Sequence, residues 1–473
     1  MATTSNQFVM LHLGVGSFHR AHQAWYMHRL RLQQAPGGDQ WSLAGGNTRP
    51  DMPETMAALA AQGGAYTLET VTPQNQRSYE RIESIRSILP YEPSLAGLIK
   101  VGADANTRII SFTVTEAGYY LDADDQLDLT VADLAADLER AKQGQPGSCI
   151  YAALTAILRE RMRGGGGKVT LLNCDNLRHN GQRVRGGLLS FIQLAGDTAL
   201  HAWVQANTTC PNAMVDRITP RPAADLRPRV FAATGWDDAA PIMGESFIQW
   251  VIEDNFCNGR PAWESVGVQM VDSVAAFEEA KIRLLNATHS CIAWAGTLVG
   301  YQYIHEGTHD ARIRQMAYDY VTTDVIPCLD TPAHPSPLDL AAYRDVVLDR
   351  FGNPAIQDTN QRVAADGFSK IPGFIAPTVR ECLARGASID AVAVLPALFL
   401  AFLQRWHRGE LSYVYQDQAM DPAVAHAICD AADPVVALAA NATFWAELAG
   451  DPRLVAALHK ATLQVQQFIQ DAA

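Results

Sequence analysis

The sequence predicts an α/β protein, with a doubly wound sheet in residues 1–273 and a mostly helical domain in residues 274–473. Two observations support this division. Strand-like runs alternate with helical segments in the first part, and long amphipathic helical patterns dominate after about residue 274. A chain of 473 residues is also too long for one ordinary hydrophobic core, so two or three domains are expected.

The first predicted strand is FVMLHL, residues 8–13, and it runs into Gly14 and Gly16. The next segment, SFHRAHQAWYMHRLRLQQ, has helical character. A strand, a glycine turn and a helix form the arrangement that binds dinucleotides, because glycines let the backbone approach a pyrophosphate. In the fingerprint GVGSFH the third glycine is replaced by His19, so an ordinary turn between strand and helix remains a second interpretation.

Further strand-like runs follow, WSLAGG at 41–46, YTLETV at 66–71 and RIISFTVT at 108–115. The end of the second strand of a dinucleotide-binding unit usually carries an acid for the adenosine ribose. Asp51, in the loop after that strand, is the candidate. An aspartate just before Pro53 could equally cap a helix.

A polar cluster follows the strand-like run KVTLLN. It contains Asp175, Asn176 and His179, and carboxyl ends of parallel strands are where such sheets bind ligands. The four glycines 164–167 precede this strand. No GK[ST] motif and helix follow them, so they predict a flexible surface loop and not a phosphate loop.

The helical stretch around Glu278–His289 places several polar groups on one apolar helix. With the regular rotation of an α-helix, Glu278, Asn286 and His289 all fall on the same face as Lys281. The surrounding residues are apolar enough to bury this face, and buried polar groups must be satisfied or functional. A solvated lysine remains the alternative interpretation.

Metal chemistry is not indicated. His305-Glu306-Gly307-Thr308-His309 matches the HExxH pattern, but Gly307 and Thr308 should weaken the required helix and no third ligand follows. His19 and His22 could chelate an ion three residues apart, yet they lie where a cofactor phosphate is expected. The eight cysteines are scattered singly, which predicts reduced thiols.

Composition excludes other classes of partner. A net charge of -13 argues against nucleic acid and anionic membranes and favours a small neutral substrate. The longest uncharged apolar run, residues 391–403, is too short to span a bilayer and contains Pro396. No signal peptide is evident, so a cytoplasmic protein is expected.

Five motifs occur in order along the chain: GVGSFHRAH, TVTEAGYY, LLNCDNLRHNG, PNAMVDRITP and KIRLLNATHS. With them the chain resembles the mannitol dehydrogenase family of polyol-specific long-chain dehydrogenases over nearly its full length. The resemblance implies an expanded Rossmann domain, a mostly α-helical C-terminal domain and an active site between them. It also implies metal-independent oxidation of a secondary alcohol by NAD.

The resemblance also implies a role for each matching residue. Lys281 is then the general acid/base, Asn176 and Asn286 hold the reacting oxygen, His289 orients the substrate, and Glu278 helps the proton to reach solvent. Substrate hydroxyls would contact Asp216, Arg362 and Lys370. The cofactor-binding residues would be Gly14, Val15, Gly16, Phe18, His19, Arg20, Asp51, Thr115, Glu116 and Asn176. Only Asp51 is acidic where relatives can have two adjacent acids, so selectivity for NAD over NADP stays open.

The expected mechanism needs a base and donors for a developing alkoxide. Burial and a nicotinamide's positive charge should lower the pKa of Lys281 from its ordinary value of about 10.4. Two carboxamides would act as an oxyanion hole. The resemblance favours D-arabinitol as substrate and D-xylulose as product. Mannitol 2-dehydrogenase or uronate reductase activity and a non-catalytic NAD-binding sensor remain alternatives, and a monomer is plausible.

Overall fold

The computed structural model describes residues 8–33, 37–122 and 125–472, and its Cα positions form two compact units. The first unit extends from the opening strand to Thr72 and from Gln76 to Ala275. The second comprises Pro73–Asn75 and the residues from Ala276 onward. Within the described residues, no helix combines the length and apolar character needed to cross a bilayer.

The first unit is built on a six-stranded, all-parallel sheet with the order β5-β2-β1-β6-β7-β8. This order is that of a Rossmann sheet. The chain adds strands on one side of β1 up to β5 and then on the other side from β6 to β8, so the order of addition reverses between β1 and β6. The strands of the unit are Phe8–Leu13 (β1), Trp41–Gly46 (β2), Tyr66–Val71 (β3), Arg77–Ile82 (β4), Ile85–Leu89 (β5), Thr107–Phe112 (β6), Val169–Asn173 (β7), Thr208–Thr209 (β8), Ala213–Asp216 (β9), Ile242–Glu245 (β10), Gln249–Glu253 (β11) and Gln269–Val271 (β12).

Both faces of the large sheet are covered. Met10 of β1 packs in one hydrophobic cluster with Met27 and Trp250, whereas the next residue, Leu11, packs in another cluster with Phe191. Alternate side chains of a strand point to opposite faces, so the two clusters lie on opposite sides of the sheet. The predicted α/β class, with a Rossmann sheet first and a helical domain after it, is confirmed.

Several expectations for individual strands need correction. YTLETV is a strand, but it belongs to a separate three-stranded sheet, β10-β3-β4, and the third strand of the Rossmann half is the unpredicted β5. The run RIISFTVT leaves the sheet after Phe112. Within the motif PNAMVDRITP, Ala213–Asp216 form β9 in a third sheet, β12-β11-β9. Short amphipathic strands carry little information about which sheet they join.

The glycine run 164–167 is a loop, as predicted, and it surrounds a buried arginine. The guanidinium of Arg161 donates to the carbonyls of Gly102, Asp104, Gly166, Gly167 and Lys168 at 2.6–3.0 Å. A Cβ at Gly166 would lie 2.4 Å from the carbonyl oxygen of Ala103. The loop therefore satisfies the Arg161 guanidinium together with the carbonyls of Gly102 and Asp104.

The predicted helix after the glycine turn is broken at His22, whose φ of -117° and ψ of -87° fall outside the helical region. It becomes two helices, the first of only five residues. The helices up to Thr234 are Ser17–Ala21 (α1), Gln23–Leu32 (α2), Pro53–Ala61 (α3), Ala96–Ala103 (α4), Ala132–Lys142 (α5), Ile150–Arg163 (α6), Asn180–Leu194 (α7), Thr198–Asn207 (α8) and Leu226–Thr234 (α9).

In the described residues from Ala275 onward the regular secondary structure is helical, apart from an isolated bridge between Tyr303 and Thr359. The α-helices are Ala275–Ala280 (α10), Ala287–Leu298 (α11), Ile304–His309 (α12), Ala311–Asp319 (α13), Ile326–Leu329 (α14), Leu340–Phe351 (α15), Asn360–Ala364 (α16), Gly367–Lys370 (α17), Ala376–Ala384 (α18), Val394–His407 (α19), Pro422–Asp430 (α20), Pro434–Ala439 (α21), Ala442–Trp445 (α22) and Pro452–Gln470 (α23).

Three π-helical segments interrupt these helices, at Lys281–Asn286, Tyr320–Val325 and Ile371–Ile375. The first packs against the other two. In the first, the N–H of Ala287 donates to the carbonyl of Ile282, five residues earlier. The regular α-helical rotation assumed for the stretch from Glu278 to His289 is therefore wrong, since a π-helix joins residues five apart by hydrogen bonds and turns less per residue.

Candidate active site

The glycine turn lies at the carboxyl end of β1, beside the point where the sheet order reverses. The N–H of Gly14 donates to Gly46 (2.9 Å), and the N–H of Val15 donates to the side-chain oxygen of Asn47 (2.8 Å). Asn47 is buried and its amide donates to the carbonyl of Asp51 (3.2 Å). The turn and the exposed candidate ribose acid, Asp51, are thus joined through one carboxamide.

The two glycines have different physical requirements. Gly14 has a φ of +101°, and a Cβ there would lie 2.2 Å from the carbonyl oxygen of Thr113. Gly16 has an ordinary extended backbone, and its nearest neighbour to such a Cβ is the carbonyl oxygen of Gly14 at 4.0 Å. The fold therefore requires glycine at position 14, whereas position 16 leaves open space that a close-approaching pyrophosphate can use.

We expect Gly16→Ala to lower the affinity for NADH about tenfold or more without lowering thermal stability, since one tenfold step corresponds to about 1.4 kcal/mol. The added methyl group occupies the open space and keeps the pyrophosphate from the backbone. NADH fluorescence titration and thermal unfolding measure the two effects. Gly14→Ala is the matched comparison, and it should destabilise the fold. Equal NADH affinity in Gly16→Ala and the unmodified protein would contradict the assignment.

The residues after Gly16 are mostly buried within the first unit. The His19 ring stacks on the His12 ring, with the centroids 3.4 Å apart. Burial is the main cause that lowers the pKa of His19 well below 6.5, and the nearby His12 lowers it further. Arg20 donates to the carbonyl of Ala240 (2.6 Å), and Phe18 stacks on His22. The predicted cofactor contacts of Phe18, His19 and Arg20 remain predictions.

Chelation by His19 and His22 would disrupt existing bonds. The Nε2 of His22 lies 2.8 Å from the carbonyl oxygen of Gln249, and its Nδ1 lies 3.0 Å from the amide nitrogen of Gln23. A metal bound to either nitrogen would displace one of these partners. Across the described ranges, no cluster of three or more histidine, cysteine, aspartate or glutamate residues is suited to a metal ion.

Asp175 holds the segment after β6 in an unusual conformation. Thr115 has φ +71° and ψ +159°, a backbone region that is costly for a residue with a Cβ. The carboxylate of Asp175 accepts the N–H groups of Val114 (2.9 Å) and Thr115 (3.1 Å) and the hydroxyl of Tyr119. Burial raises the pKa of Asp175 in spite of these bonds. Asp175 therefore supports the predicted cofactor residue Thr115.

Three other predicted residues belong to the first unit. Asn176 is exposed in the loop after β7. Asp216 is buried at the end of β9, paired in register with Gln249. The neighbouring Arg217 donates to the carbonyls of Ala21 (2.5 Å) and Glu245 (2.9 Å). Glu116 is the third of these predicted residues, and its side chain lies outside the described residues.

Lys281 and Glu278 are both buried, with 7% and 5% of their surface exposed. Glu278 is in α10, and Lys281 begins the π-helical segment that ends at half-buried Asn286. The five-residue repeat brings Lys281 and Asn286 onto the same side of the helix. A π-helical turn is uncommon and is often found at functional sites. The second unit therefore carries a buried lysine side chain and a half-buried carboxamide at the two ends of one π-helical turn.

A second polar group centres on Asp358, which sequence reasoning missed. Its Oδ2 lies 3.3 Å from Nε2 of His289, and its carboxylate forms a two-bond ion pair with Arg362, with Oδ1 2.6 Å from Nε. The His289 ring stacks on Phe351 at 4.2 Å. Burial lowers the pKa of His289, and the carboxylate of Asp358 opposes this effect. His289 and Arg362 are thus positioned by one carboxylate.

Lys370 lies near the same group. Its Nζ donates to the carbonyl of Val363 (2.6 Å), and burial lowers its pKa to about 8 against the opposing effect of Asp366. It directly precedes the π-helical segment Ile371–Ile375. Within the second unit, Arg362 and Lys370 lie close enough to His289 for their charges to lower its pKa. The three side chains are thus near enough to bind the hydroxyl groups of one ligand.

We expect Asp358→Asn to raise the KM for the polyol about tenfold or more, since hydrogen bonds to charged groups contribute about 1.5–3 kcal/mol. Loss of the carboxylate leaves the His289 ring and the Arg362 guanidinium without a fixed orientation, and it lowers the pKa of His289 further. Steady-state kinetics across pH should show a larger change in KM than in kcat. Asp349→Asn, at an exposed ion pair with Arg314 (3.1 Å), is the control. Equal changes in both variants would contradict the positioning role.

The HExxH pattern lies on a helix of six residues, α12, although Gly307 and Thr308 were expected to weaken a helix there. Its glutamate has another function. The carboxylate of Glu306 accepts the N–H groups of Gln302 (2.8 Å) and Tyr303 (2.7 Å) and so caps the helix. The rings of His305 and His309 are 6.3 Å apart. Glu306 is therefore a capping residue.

Sequence reasoning placed Asp175 in a candidate ligand-binding cluster without giving it a supporting role, and it missed Asn47 and Asp358 as parts of the site. Asn47 stood at a strand end and Asp175 in a polar cluster, so both positions carried a signal. Asp358 had only its spacing of four residues from Arg362. That spacing is common on helix surfaces and does not by itself indicate a site.

Comparison with known proteins shows that two domain models of one family match the two parts of the chain. Residues 9–265 match the model of the mannitol dehydrogenase Rossmann domain, and residues 273–466 match that of the mannitol dehydrogenase C-terminal domain. The chain is 62% identical to D-arabinitol 4-dehydrogenase of Ralstonia nicotianae over 460 residues, 97% of each chain. It is 54% identical to D-arabinitol 4-dehydrogenase of Klebsiella pneumoniae, covering 98% of this chain and 100% of that one.

A solved structure is also similar over nearly the full length of this chain. It is Pseudomonas fluorescens mannitol 2-dehydrogenase in a ternary complex with NAD and D-mannitol. The sequence identity is 34%, the TM-score is 0.81, and the match covers 99% of this chain and 94% of that chain.

Proposed function

Because the chain belongs to the mannitol dehydrogenase family, we propose that it is an NAD-dependent, metal-independent polyol dehydrogenase that oxidises D-arabinitol to D-xylulose. The observation that carries this proposal is the 62% identity to a D-arabinitol 4-dehydrogenase over 97% of both chains. The buried Lys281, at the start of a π-helical turn that ends in Asn286, supports the proposed chemistry.

The first unit fits NAD. Its sheet has the Rossmann order, the open space at Gly16 can accommodate a pyrophosphate, and Asp51 is exposed beside the turn. The cofactor, when bound, supplies the hydride acceptor. Gly14, Val15 and Asn47 fix the turn, and Asp175 fixes Thr115. The absence of a second acid beside Asp51 leaves the preference for NAD over NADP to be measured.

Lys281 removes the hydroxyl proton as hydride leaves the carbinol carbon. Asn176 and Asn286 donate N–H bonds to the oxygen as negative charge develops, so they stabilise the transition state as an oxyanion hole does. Glu278, one helical turn before Lys281, passes the proton on to solvent. In ketose reduction the same lysine donates the proton.

Substrate hydroxyls are bound by Asp216, His289, Arg362 and Lys370 in this proposal. Asp358 keeps His289 and Arg362 in place. A site that pairs several hydroxyls rejects analogues that lack them, because its buried polar groups are then left unpaired.

The eight cysteines are free thiols. That state suits a reducing compartment, so we place the reaction in the cytoplasm.

The test is the formation of NADH from NAD, or of NADPH from NADP, on D-arabinitol, D-mannitol, D-sorbitol, xylitol and ribitol in excess EDTA. Greatest activity on D-arabinitol with NAD, unchanged by EDTA, is expected. Greatest activity on D-mannitol would move the substrate and keep the mechanism. NADH binding without turnover of any polyol would indicate a sensor, and activity abolished by EDTA and restored by zinc would overturn the lysine mechanism.

A further inference from the structure

Two cysteines from separate segments of the second unit lie side by side. The Sγ atoms of Cys328, in α14, and Cys382, in α18, are 3.6 Å apart. Cys382 is buried and Cys328 is partly exposed, so a small oxidant can reach one sulfur of the pair. A disulfide needs an S–S distance of about 2.05 Å, so the two sulfur atoms have to move only a short distance towards each other to form the bond.

A cation is placed beside both sulfurs. The Nη2 of Arg385 lies 3.1 Å from the Sγ of Cys328 and 3.6 Å from that of Cys382. A hydrogen bond from the Cys328 thiol, with the Arg385 guanidinium, lowers the pKa of Cys382, while the pKa of Cys328 is raised. The neighbouring Arg385 and the lowered pKa both favour the thiolate form of Cys382, which is the reactive form of cysteine.

The two segments that carry these cysteines are both tied to the π-helical turn of Lys281. Arg283, two residues after Lys281, donates to Thr378 (3.0 Å) and to both carboxylate oxygens of Glu381 (3.0 Å each) in α18. Its carbonyl accepts the hydroxyl of Tyr320 (2.9 Å), from the π-helical segment that leads into α14. Arg283 thus joins the catalytic turn to the elements on both sides of the cysteine pair.

We propose that Cys328 and Cys382 form an intramolecular disulfide on exposure to a hydroperoxide, and that this disulfide lowers turnover by displacing the turn that carries Lys281. One sulfur attacks the peroxide O–O bond, giving a sulfenic acid and releasing water or an alcohol. The second sulfur attacks the sulfenic sulfur, and water leaves as the S–S bond forms. Two thiols lose two electrons, and one hydroperoxide gains them.

The disulfide itself is tested without any assay of activity. The full-length protein is treated with hydrogen peroxide, and its peptides are mapped by mass spectrometry with and without reductant. A Cys328–Cys382 cross-linked peptide that disappears on reduction is expected. It should be absent from Cys328→Ser and Cys382→Ser and present in Cys429→Ser, a partly exposed cysteine on α20. No cross-linked peptide in the unmodified protein would overturn the proposal.

The effect on turnover rests on the proposed function and is read against the untreated protein. A displacement of about 1 Å can cost about a hundredfold in rate, so we expect turnover to fall about tenfold or more and to recover with dithiothreitol. Both serine variants should keep their starting activity through the same treatment. A cross-linked protein with unchanged turnover would overturn the switch. An untreated protein inactive on every polyol would instead count against the proposed function.

Discussion

Replacing Lys281 by alanine is expected to lower the turnover of D-arabinitol about a thousandfold, since general acid–base groups contribute about 10²–10⁴ in rate. The side chain is buried and starts the π-helical turn, so alanine leaves no side chain there that can take the proton. Steady-state NADH formation from about pH 6 to about pH 10 measures the loss below the ordinary lysine pKa of about 10.4, where a base with a lowered pKa would act. NADH affinity should remain close to that of the unmodified protein.

The control for this experiment is Lys460→Ala. Lys460 is 69% exposed and pairs with Asp390 on the surface, so its loss should leave turnover near normal. Added primary amines such as methylamine should restore part of the activity of Lys281→Ala, because they can occupy the space of the lost side chain and accept the proton. Retention of most of the rate across this pH range would show that Lys281 is not the base.

Replacing Asn286 by alanine is expected to lower kcat about a hundredfold, as loss of one oxyanion-hole donor costs about 10²–10³. The carboxamide is proposed to donate to the oxygen only when negative charge develops there, so KM should change little. Asn286→Asp should be at least as damaging, because a carboxylate near an alkoxide repels it. Both variants are compared with the unmodified protein by steady-state kinetics on D-arabinitol.

Ser290→Ala tests whether the effect of Asn286→Ala comes from loss of the side-chain carboxamide or from a change in the main chain of the turn. The Ser290 hydroxyl donates to the main-chain carbonyl of Asn286 (3.0 Å), so its removal perturbs the turn and leaves the carboxamide intact. Near-normal turnover in Ser290→Ala with a large loss in Asn286→Ala is expected. A rise in KM with unchanged kcat in Asn286→Ala would show that the residue binds substrate and transition state equally, which would contradict an oxyanion role.

The sequence predicted those features that depend on local pattern. The apolar run before Gly14 is typical of a buried strand, and the positive φ of that glycine follows from the turn it makes. The change to long amphipathic helices after about residue 274 separated the helical part from the sheet. Lys281 and His289 were singled out because polar side chains on an apolar helix need a partner or a task.

Only the tertiary structure could decide how these segments meet. β3 has the pattern of a sheet strand, yet it pairs with β10 from the far end of the first unit, because strand pairing depends on long-range contacts. The sequence did not predict the π-helical turn, which packs against two other π-helical segments and changes the rotation of the helix between Lys281 and Asn286. Asp358 reaches His289 only through the fold.

The sequence by itself thus determined the α/β class, the glycine turn and the buried lysine, because each follows from local periodicity and the cost of burying polar groups. The tertiary structure decided what supports them: the carboxamide of Asn47 at the turn, the carboxylate of Asp358 behind His289, and the adjacency of Cys328 and Cys382. These contacts join residues far apart in the chain, and their energies depend on distance and burial, which a linear pattern does not contain.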